Sequence, residues 1–213
     1  MIIINFKTYK EATGKNALKL AKIVDKNTYI AVQPTDIYLL SKNTKAKILA
    51  QSVDNATYGK YTGSVTPEAV KEAGAIGALL NHSEKRLKLN TLNEIIKKCK
   101  KLKLITIVCS KSLEEIKKII KLKPDYIAFE IPGLIATGRG ISTYRPESVK
   151  HFVGLLKKTK IKPLCGSGIS DAKDVRAGLN EGVSGVLLSS YFVKSKNPRK
   201  FLQELKNAWS SNL

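Results

Sequence analysis

Eight short apolar runs, separated by amphipathic segments, recur along the whole chain and constrain its fold more than any other feature. The runs are Ile2–Asn5, Tyr29–Gln33, Lys47–Gln51, Ala75–Leu80, Leu104–Cys109, Tyr126–Phe129, Lys162–Cys165 and Gly185–Leu188. Nearly continuous hydrophobicity is typical of parallel strands that are buried on both faces. Eight strands alternating with helices predict one (β/α)8 barrel, an α/β fold that occupies residues 1–213 as a single domain.

Helix signals occupy the gaps between the runs. Thr91 and Glu94 have the spacing of a capping box before an apolar stripe, and Ser112 with Glu115 repeats that spacing before the next stripe. No Pro-rich or Gly-rich linker interrupts the alternation. The pattern therefore predicts no second domain.

Composition excludes several classes of protein. No apolar run approaches the ~20 residues that span a bilayer, and the first residues lack the features of a signal peptide. The three cysteines cannot form a closed disulfide framework, which favours small buried thiols in a reducing compartment. We therefore expect a cytoplasmic protein with no membrane partner.

The net charge of +21 is compatible either with nucleic-acid binding or with attraction of anionic substrates. Only five of the 38 basic residues are arginines, and arginine clusters with interleaved aromatics are missing. The lysines fall on the polar faces of predicted helices, as at positions 97–98, 100–101 and 117–118. This distribution favours a solvated surface over dedicated nucleic-acid binding, although a nucleic-acid scaffold remains the non-enzyme alternative.

Polar residues follow five of the predicted strands, where the active-site loops of such a barrel lie. They are Asn5 and Lys7, Asn81 to Glu84, Glu130, Gly166 to Gly168, and Ser189 with Ser190. Taken singly, each has a structural explanation, such as an exposed lysine, a satisfied histidine or a turn. Taken together, a base, a hydrogen-bond donor, a cation and two phosphate-binding loops indicate one catalytic site.

These segments resemble the triosephosphate isomerase family. The matching segments are Asn5-Phe6-Lys7, Tyr61-Thr62-Gly63, Asn81 to Arg86, Glu130 to Ser142, Cys165 to Gly168, and Gly185 to Leu188. They occur in the family's order and cover nearly the whole chain, and the short helices resemble its archaeal branch. The resemblance implies a TIM barrel that interconverts D-glyceraldehyde 3-phosphate and dihydroxyacetone phosphate through an enediolate, in glycolysis and gluconeogenesis. Such chemistry requires no metal and no cofactor.

The resemblance also implies roles for individual residues. Glu130 matches the base that removes and returns the proton, and His82 matches the donor to the substrate oxygens. Lys7 supplies positive charge, and Asn5 orients a substrate oxygen. In this family the imidazole is kept neutral by a helix N-terminus, so we expect residues 83–84 to begin a helical turn.

Substrate binding is expected at the lid and at the last two strands. By resemblance, Ile135 and Leu187 cover the base and exclude water. The phosphate is expected on backbone N–H groups of Ala136, Gly168 and the Ser189-Ser190 pair. The lid at positions 131–141 is expected to close over the substrate.

Self-association is implied by Thr62, which matches a family residue that reaches across a dimer interface toward the partner's catalytic residues. The resemblance therefore implies a homodimer and leaves open whether two dimers form a homotetramer.

Several residues depart from the archaeal pattern. Ile131 replaces a proline and Gly133 a glutamate, which predicts a looser first hinge of the lid. Ala136 stands where glycine is usual, Arg139 forms an unusual tip, and the pair at positions 189–190 is bulkier than is common. We interpret these changes as tuning of lid motion and phosphate affinity. The enzyme alternative is another phosphate-binding barrel, such as a sugar-phosphate epimerase or an indole-pathway isomerase.

Overall fold

The computed structural model describes residues 1–134 and 137–210 and contains a closed barrel of eight parallel strands. The strands are β1 Ile2–Asn5, β2 Thr28–Val32, β3 Lys47–Ala50, β4 Gly77–Leu80, β5 Ile105–Ser110, β6 Tyr126–Phe129, β7 Lys162–Cys165 and β8 Gly185–Leu188. Each strand pairs with the next, and β1 pairs with β8, so that Ile2 lies opposite Val186. The predicted (β/α)8 barrel is confirmed, and every predicted strand overlaps an observed one.

Ten α-helices connect the strands in the described residues. They are α1 Lys15–Ala21, α2 Pro34–Asn43, α3 Pro67–Glu72, α4 Leu89–Lys101, α5 Leu113–Ile120, α6 Ile141–Tyr144, α7 Pro146–Leu156, α8 Ala172–Asn180, α9 Ser190–Val193 and α10 Pro198–Ser210. Short 3-10 helices lie at Lys10–Ala12 and Pro132–Leu134. Proline opens four of the ten α-helices, where its fixed φ suits the first turn and its missing N–H costs nothing. Among the helices described, none is long and apolar enough to cross a membrane.

One of the two predicted capping boxes is wrong and the other is half formed. Helix α4 begins at Leu89, before Thr91, so Thr91 lies inside its first turn and cannot cap it. The hydroxyl of Ser112 accepts from the N–H of Glu115 at 3.2 Å, as predicted for α5. The Glu115 carboxylate does not return to Ser112, because it accepts instead from the Ser110 hydroxyl and the Lys111 N–H.

The core has two layers because alternate strand residues point to opposite sides of the sheet. The inner layer fills the barrel and consists of Ile3, Ala31, Leu49, Leu79, Ile107, Cys109, Ala128, Leu164 and Leu187. The outer layer packs the strands against the helices. All three cysteines are free and buried, as predicted. The filled interior leaves the loops that follow the strands as the place for a ligand.

Candidate active site

A cleft lies at the carboxyl ends of the strands. The structure brings eight of the predicted site residues to its walls: Asn5, Lys7, His82, Glu130, Gly168, Leu187, Ser189 and Ser190. The other two predicted residues, Ile135 and Ala136, lie outside the described residues. The cleft joins residues that are separated by up to 185 positions in the sequence, which is how a barrel assembles a site from many loops.

Glu130 is a buried carboxyl group at the end of β6. Only 3% of the residue is exposed, and its backbone N–H donates to the carbonyl of Ser110 at 2.8 Å. Burial raises the pKa of Glu130 to about 7, although the Cys109 thiol and the Lys7 ammonium act in the opposite direction. Gly166 leaves room for the side chain, because a Cβ there would lie 2.7 Å from the Glu130 Cγ. A carboxyl group with a pKa near neutrality can both accept and return a proton.

His82 is buried beside this carboxyl group, with Nε2 3.6 Å from the Glu130 Oε1. Its Nδ1 accepts from the backbone N–H of Glu84 at 3.2 Å, which assigns the proton of the neutral ring to Nε2. Burial lowers the pKa of His82; the Glu84 carboxylate opposes this shift, and the Lys7 and Arg86 cations reinforce it. The ring therefore presents an N–H donor to the cleft.

The expected helical turn after His82 is a single turn and does not lead into a helix. The N–H of Lys85 donates to the carbonyl of His82 at 2.9 Å across residues 83–84, and the next helix, α4, begins only at Leu89. Asn81, just before His82, has a φ of +59°, and its side-chain oxygen accepts from the N–H of Leu87 at 2.9 Å. Burial and the N–H of Glu84 thus favour the neutral imidazole, the role that was expected of a helix N-terminus.

Lys7 lies just after the end of β1 in a left-handed backbone conformation, with a φ of +48°. The side chain of Asn5 holds that turn by accepting from the Lys7 N–H at 2.9 Å, and the Gln51 amide donates to the Lys7 carbonyl at 2.9 Å. The Lys7 Nζ donates to the Glu84 Oε1 at 2.6 Å, which fixes the ammonium at the edge of the cleft. Backbone strain of this kind persists only where the surroundings over-determine it, and it is common at functional sites.

The loops after β7 and β8 form the opposite end of the cleft. Gly168 has a φ of +71°, and a Cβ there would lie 1.9 Å from the carbonyl oxygen of Arg139 in the lid. The hydroxyl of Ser189 donates to the Asn5 carbonyl at 2.7 Å and so links β8 to β1. Ser190 is the first residue of α9, where N–H groups have no carbonyl partner within the helix. Free N–H groups of this kind can donate hydrogen bonds to an anionic ligand.

The lid is held at both ends by the loop that follows β7. The N–H of Ile131 donates to the Ser167 hydroxyl at 3.1 Å, and the N–H of Ile141 donates to the Ser167 carbonyl at 3.1 Å. Gly138 touches Tyr191, because a Cβ at Gly138 would lie 2.2 Å from the Tyr191 hydroxyl oxygen. The chain on either side of residues 135–136 is therefore tied to the loop after β7 and to helix α9.

Sequence reasoning assigned no individual role to four residues that shape this site. Glu84 was named only among the polar residues after β4 and as the start of a turn, yet it contacts both Lys7 and His82. Cys109 was interpreted as a small core residue, but its thiol contacts Glu130. Ser167 was named only as part of the loop after β7, and Tyr191 was not singled out. Cys109 could have been found by strand alternation, since it follows Ile107 on the inner face of β5.

Comparisons with known proteins show what this chain is similar to. A sequence model described as triosephosphate isomerase matches residues 1–207. The chain is 42% identical to a triosephosphate isomerase from Methanocaldococcus jannaschii, over 96% of this chain and 98% of the relative. It is 41% identical to a triosephosphate isomerase from Methanothermus fervidus, with 96% of each chain covered. The crystal structure of triosephosphate isomerase from Bartonella henselae has the same fold, with a TM-score of 0.74, 18% identity and 98% of each chain covered.

Proposed function

The chain belongs to the triosephosphate isomerase family, and from this premise we propose a role for each residue of its cleft. The enzyme interconverts D-glyceraldehyde 3-phosphate and dihydroxyacetone phosphate, an aldose–ketose isomerisation of glycolysis. The alternative of another phosphate-binding barrel receives no support, because the family match extends over residues 1–207.

We assign the proton transfer to Glu130 and His82. The Glu130 carboxylate removes a proton from the carbon beside the carbonyl group and returns it to the adjacent carbon. The His82 Nε2–H donates to the oxygen that becomes negatively charged, and the Lys7 ammonium stabilises the same charge. The observation that carries this assignment is a buried carboxyl group, with a pKa of about 7, that lies 3.6 Å from the His82 Nε2.

We assign the phosphate to the loops after β7 and β8, with backbone N–H groups of Gly168, Ser189 and Ser190 as donors. The position of all three residues on the wall of the cleft supports this assignment. Asn5 orients a substrate oxygen, and Leu187 forms the apolar floor beside the base. By family resemblance, Ile135 and Ala136 complete the apolar cover and the phosphate site. The proposed reaction uses no metal and no cofactor, and the single barrel supplies every group.

The pH dependence of isomerisation tests this function. We expect kcat/KM for glyceraldehyde 3-phosphate to fall about tenfold per pH unit below about pH 7, because the free enzyme must have Glu130 ionised. The measurement is a coupled assay between pH 5 and 9, with a pentose phosphate as the control substrate. Turnover of the pentose phosphate without turnover of the triose phosphate would overturn the proposed function.

The ionisation of Glu130 should also make the folded protein less stable as the pH rises. The folded-state pKa of Glu130 lies above its ordinary value of 4.5, so the folded protein holds the proton more tightly than the unfolded chain. The contribution of Glu130 protonation to the free energy of unfolding is therefore fully present below about pH 4.5. It is lost, by up to about 3 kcal/mol, as the pH rises through 7. Chemical denaturation at several pH values should show this loss in the wild type and not in the Glu130→Gln variant.

We also propose that the enzyme is a cytoplasmic homodimer, or a homotetramer of two dimers, in which the loop around Thr62 lies at the interface. In the described chain this loop is exposed, and Tyr61 within it is 50% exposed. Aromatic side chains left exposed in a loop are typical of residues that a partner covers. By family resemblance, the partner's loop supports Asn5 and Lys7.

Thr62→Arg should weaken this association. Placing a larger cation in a packed interface is expected to raise the dimer dissociation constant at least about tenfold, with activity lost in parallel on dilution. Sedimentation velocity and the coupled assay over a dilution series measure the two effects. Tyr38→Arg, at a side chain that is 62% exposed on α2, is the control and should change neither. A monomeric wild type with full activity would contradict the proposal.

A further inference from the structure

Exposed lysines are concentrated at the end of the barrel opposite the catalytic cleft. Three loops that lead into β5, β6 and β7 cover residues 100–104, 121–125 and 157–162, and these strands are neighbours in the barrel. We call this surface the lysine face. Its nine lysines are Lys100, Lys101, Lys103, Lys121, Lys123, Lys157, Lys158, Lys160 and Lys162, and its single acidic residue is Asp125. The sequence placed lysines on helix faces, but only the fold gathers these nine together.

The charges of the lysine face are available to a ligand. All nine lysines are exposed, and none of them forms an ion pair among the described residues. The Asp125 Oδ2 accepts from the N–H and the hydroxyl of Thr106 at 2.8 and 2.7 Å, which ties this carboxylate to β5. The Lys100 ammonium donates to the carbonyl of Lys123, so the first two loops are in contact. The face is therefore one continuous cationic surface.

Two of these lysines occupy backbone positions where glycine is the less strained residue. Helices α3, α4, α5 and α8 end in the same way, with an N–H bound to the carbonyl three residues earlier at 2.9–3.0 Å. Outside the lysine face the donor is a glycine, Gly74 or Gly182, with a φ of +101° or +86°. Within the face it is Lys103 or Lys123, with a φ of +57° or +54°. A side chain in this left-handed conformation costs about 1 kcal/mol relative to glycine. Lys103 and Lys123 therefore stand at helix ends where glycine would be less strained.

The helix dipole does not account for the accumulation. Cations are favourable near the C-terminus of any helix, including α3 and α8. Yet the loops that follow α3 and α8, at positions 73–76 and 181–184, contain no lysine, and the last turn of α8 contains no basic residue. Lys22 and Lys26 precede β2, and Lys45 and Lys47 lie at the start of β3, so this end of the barrel also has lysines elsewhere. With nine lysines, the three neighbouring loops into β5, β6 and β7 are the densest part of it.

We propose that the lysine face binds the phosphodiester backbone of nucleic acid, without sequence preference and in addition to the isomerase activity. A row of cations without arginine forks offers point charges to phosphates and no group pattern that reads bases. The large exposed apolar side chains of the described residues all lie outside these three loops. An amphipathic membrane contact or a hot-spot protein interface uses such apolar side chains, whereas binding by counterion release does not need them.

Fluorescence anisotropy with a labelled 20-base-pair duplex tests this proposal over a range of salt concentrations. The wild type should bind with an affinity that falls steeply as salt increases. The double variant Lys103→Gly and Lys123→Gly should lower the slope of log K against log[salt] by about 2, since each lost contact contributes about 0.9. This variant adopts the glycine caps of α3 and α8, so it should remain folded with an unchanged or raised melting temperature.

The control is the double variant Lys15→Gln and Lys19→Gln, which removes the same charge from α1 on the far side of the barrel. It should leave the salt slope unchanged. Saturating duplex should not inhibit isomerisation, because the lysine face lies opposite the cleft. Equal loss in the control, inhibition by duplex, or absence of binding at low salt would overturn the proposal. Equally tight binding of polyglutamate would assign the face to an acidic protein instead.

Discussion

Replacing Glu130 with glutamine is expected to lower kcat by about 10³-fold or more, the largest effect of any substitution considered. Glutamine preserves the shape of the side chain and cannot take up the substrate proton, and a positioned general base contributes about 10²–10⁴ in rate. A coupled assay at saturating glyceraldehyde 3-phosphate and at matched protein concentration measures the change. KM should change little, because the same space is filled.

The control for this variant is its stability at alkaline pH. At pH 8 the wild type buries an ionised Glu130 with 3% of its surface exposed, whereas the variant buries a neutral amide. We therefore expect Glu130→Gln to be more stable than the wild type at pH 8 and similar to it at pH 5. Retention of more than a tenth of the wild-type kcat would exclude Glu130 as the base. A folded wild type without turnover would show instead that the altered lid has changed the reaction.

Gly168→Ala should damage both the lid and the phosphate site. A Cβ at Gly168 would lie 1.9 Å from the carbonyl oxygen of Arg139 and 2.5 Å from its carbon, and backbone atoms cannot rotate away. The φ of +71° adds strain for any residue other than glycine. We expect the free energy of unfolding to fall by about 1–3 kcal/mol, and kcat/KM to fall about 10²-fold because the lid is displaced.

Gly154→Ala provides the matched comparison for that prediction. Gly154 lies within α7, and a Cβ there would meet no atom within 4 Å. The same chemical change should raise stability by about 0.5–1 kcal/mol and leave kinetics unchanged, since alanine is the better helix former. Denaturant unfolding and the coupled assay on both variants decide the matter. Similar values for the two variants would mean that Gly168 does not set the position of the lid.

Most of the fold could be predicted because barrel strands carry a local signal. Runs such as Tyr126–Phe129 are continuously apolar, so their burial on both faces can be read without knowledge of their neighbours. Helix starts were harder, as Thr91 shows. Its spacing to Glu94 fits a cap, but α4 had already begun at Leu89, and Glu94 pairs with Lys97 at 2.9 Å instead.

Some features of the candidate site could also be predicted from the sequence, and others could not. Residues that directly follow strands, such as Glu130, could be predicted because every strand of the barrel ends at the same face. The protonation of His82 could not, because it depends on burial and on the N–H of Glu84, which donates to the His82 Nδ1 only in the folded turn. The lysine face could not be predicted either, since its three loops come together only when β5, β6 and β7 lie side by side in the barrel.

The pairing of the first strand with the last gives the enzyme an order of assembly. Residues 2–4 of β1 lie beside residues 186–188 of β8, and the hydroxyl of Ser189 binds the carbonyl of Asn5 across that seam. β1 can pair with β2 early, but it must wait for nearly the whole chain before it can pair with β8. Asn5 and Lys7 lie on one side of this join and Ser189 lies on the other. Turnover should therefore require the join between β1 and β8 in addition to the proposed dimer contact.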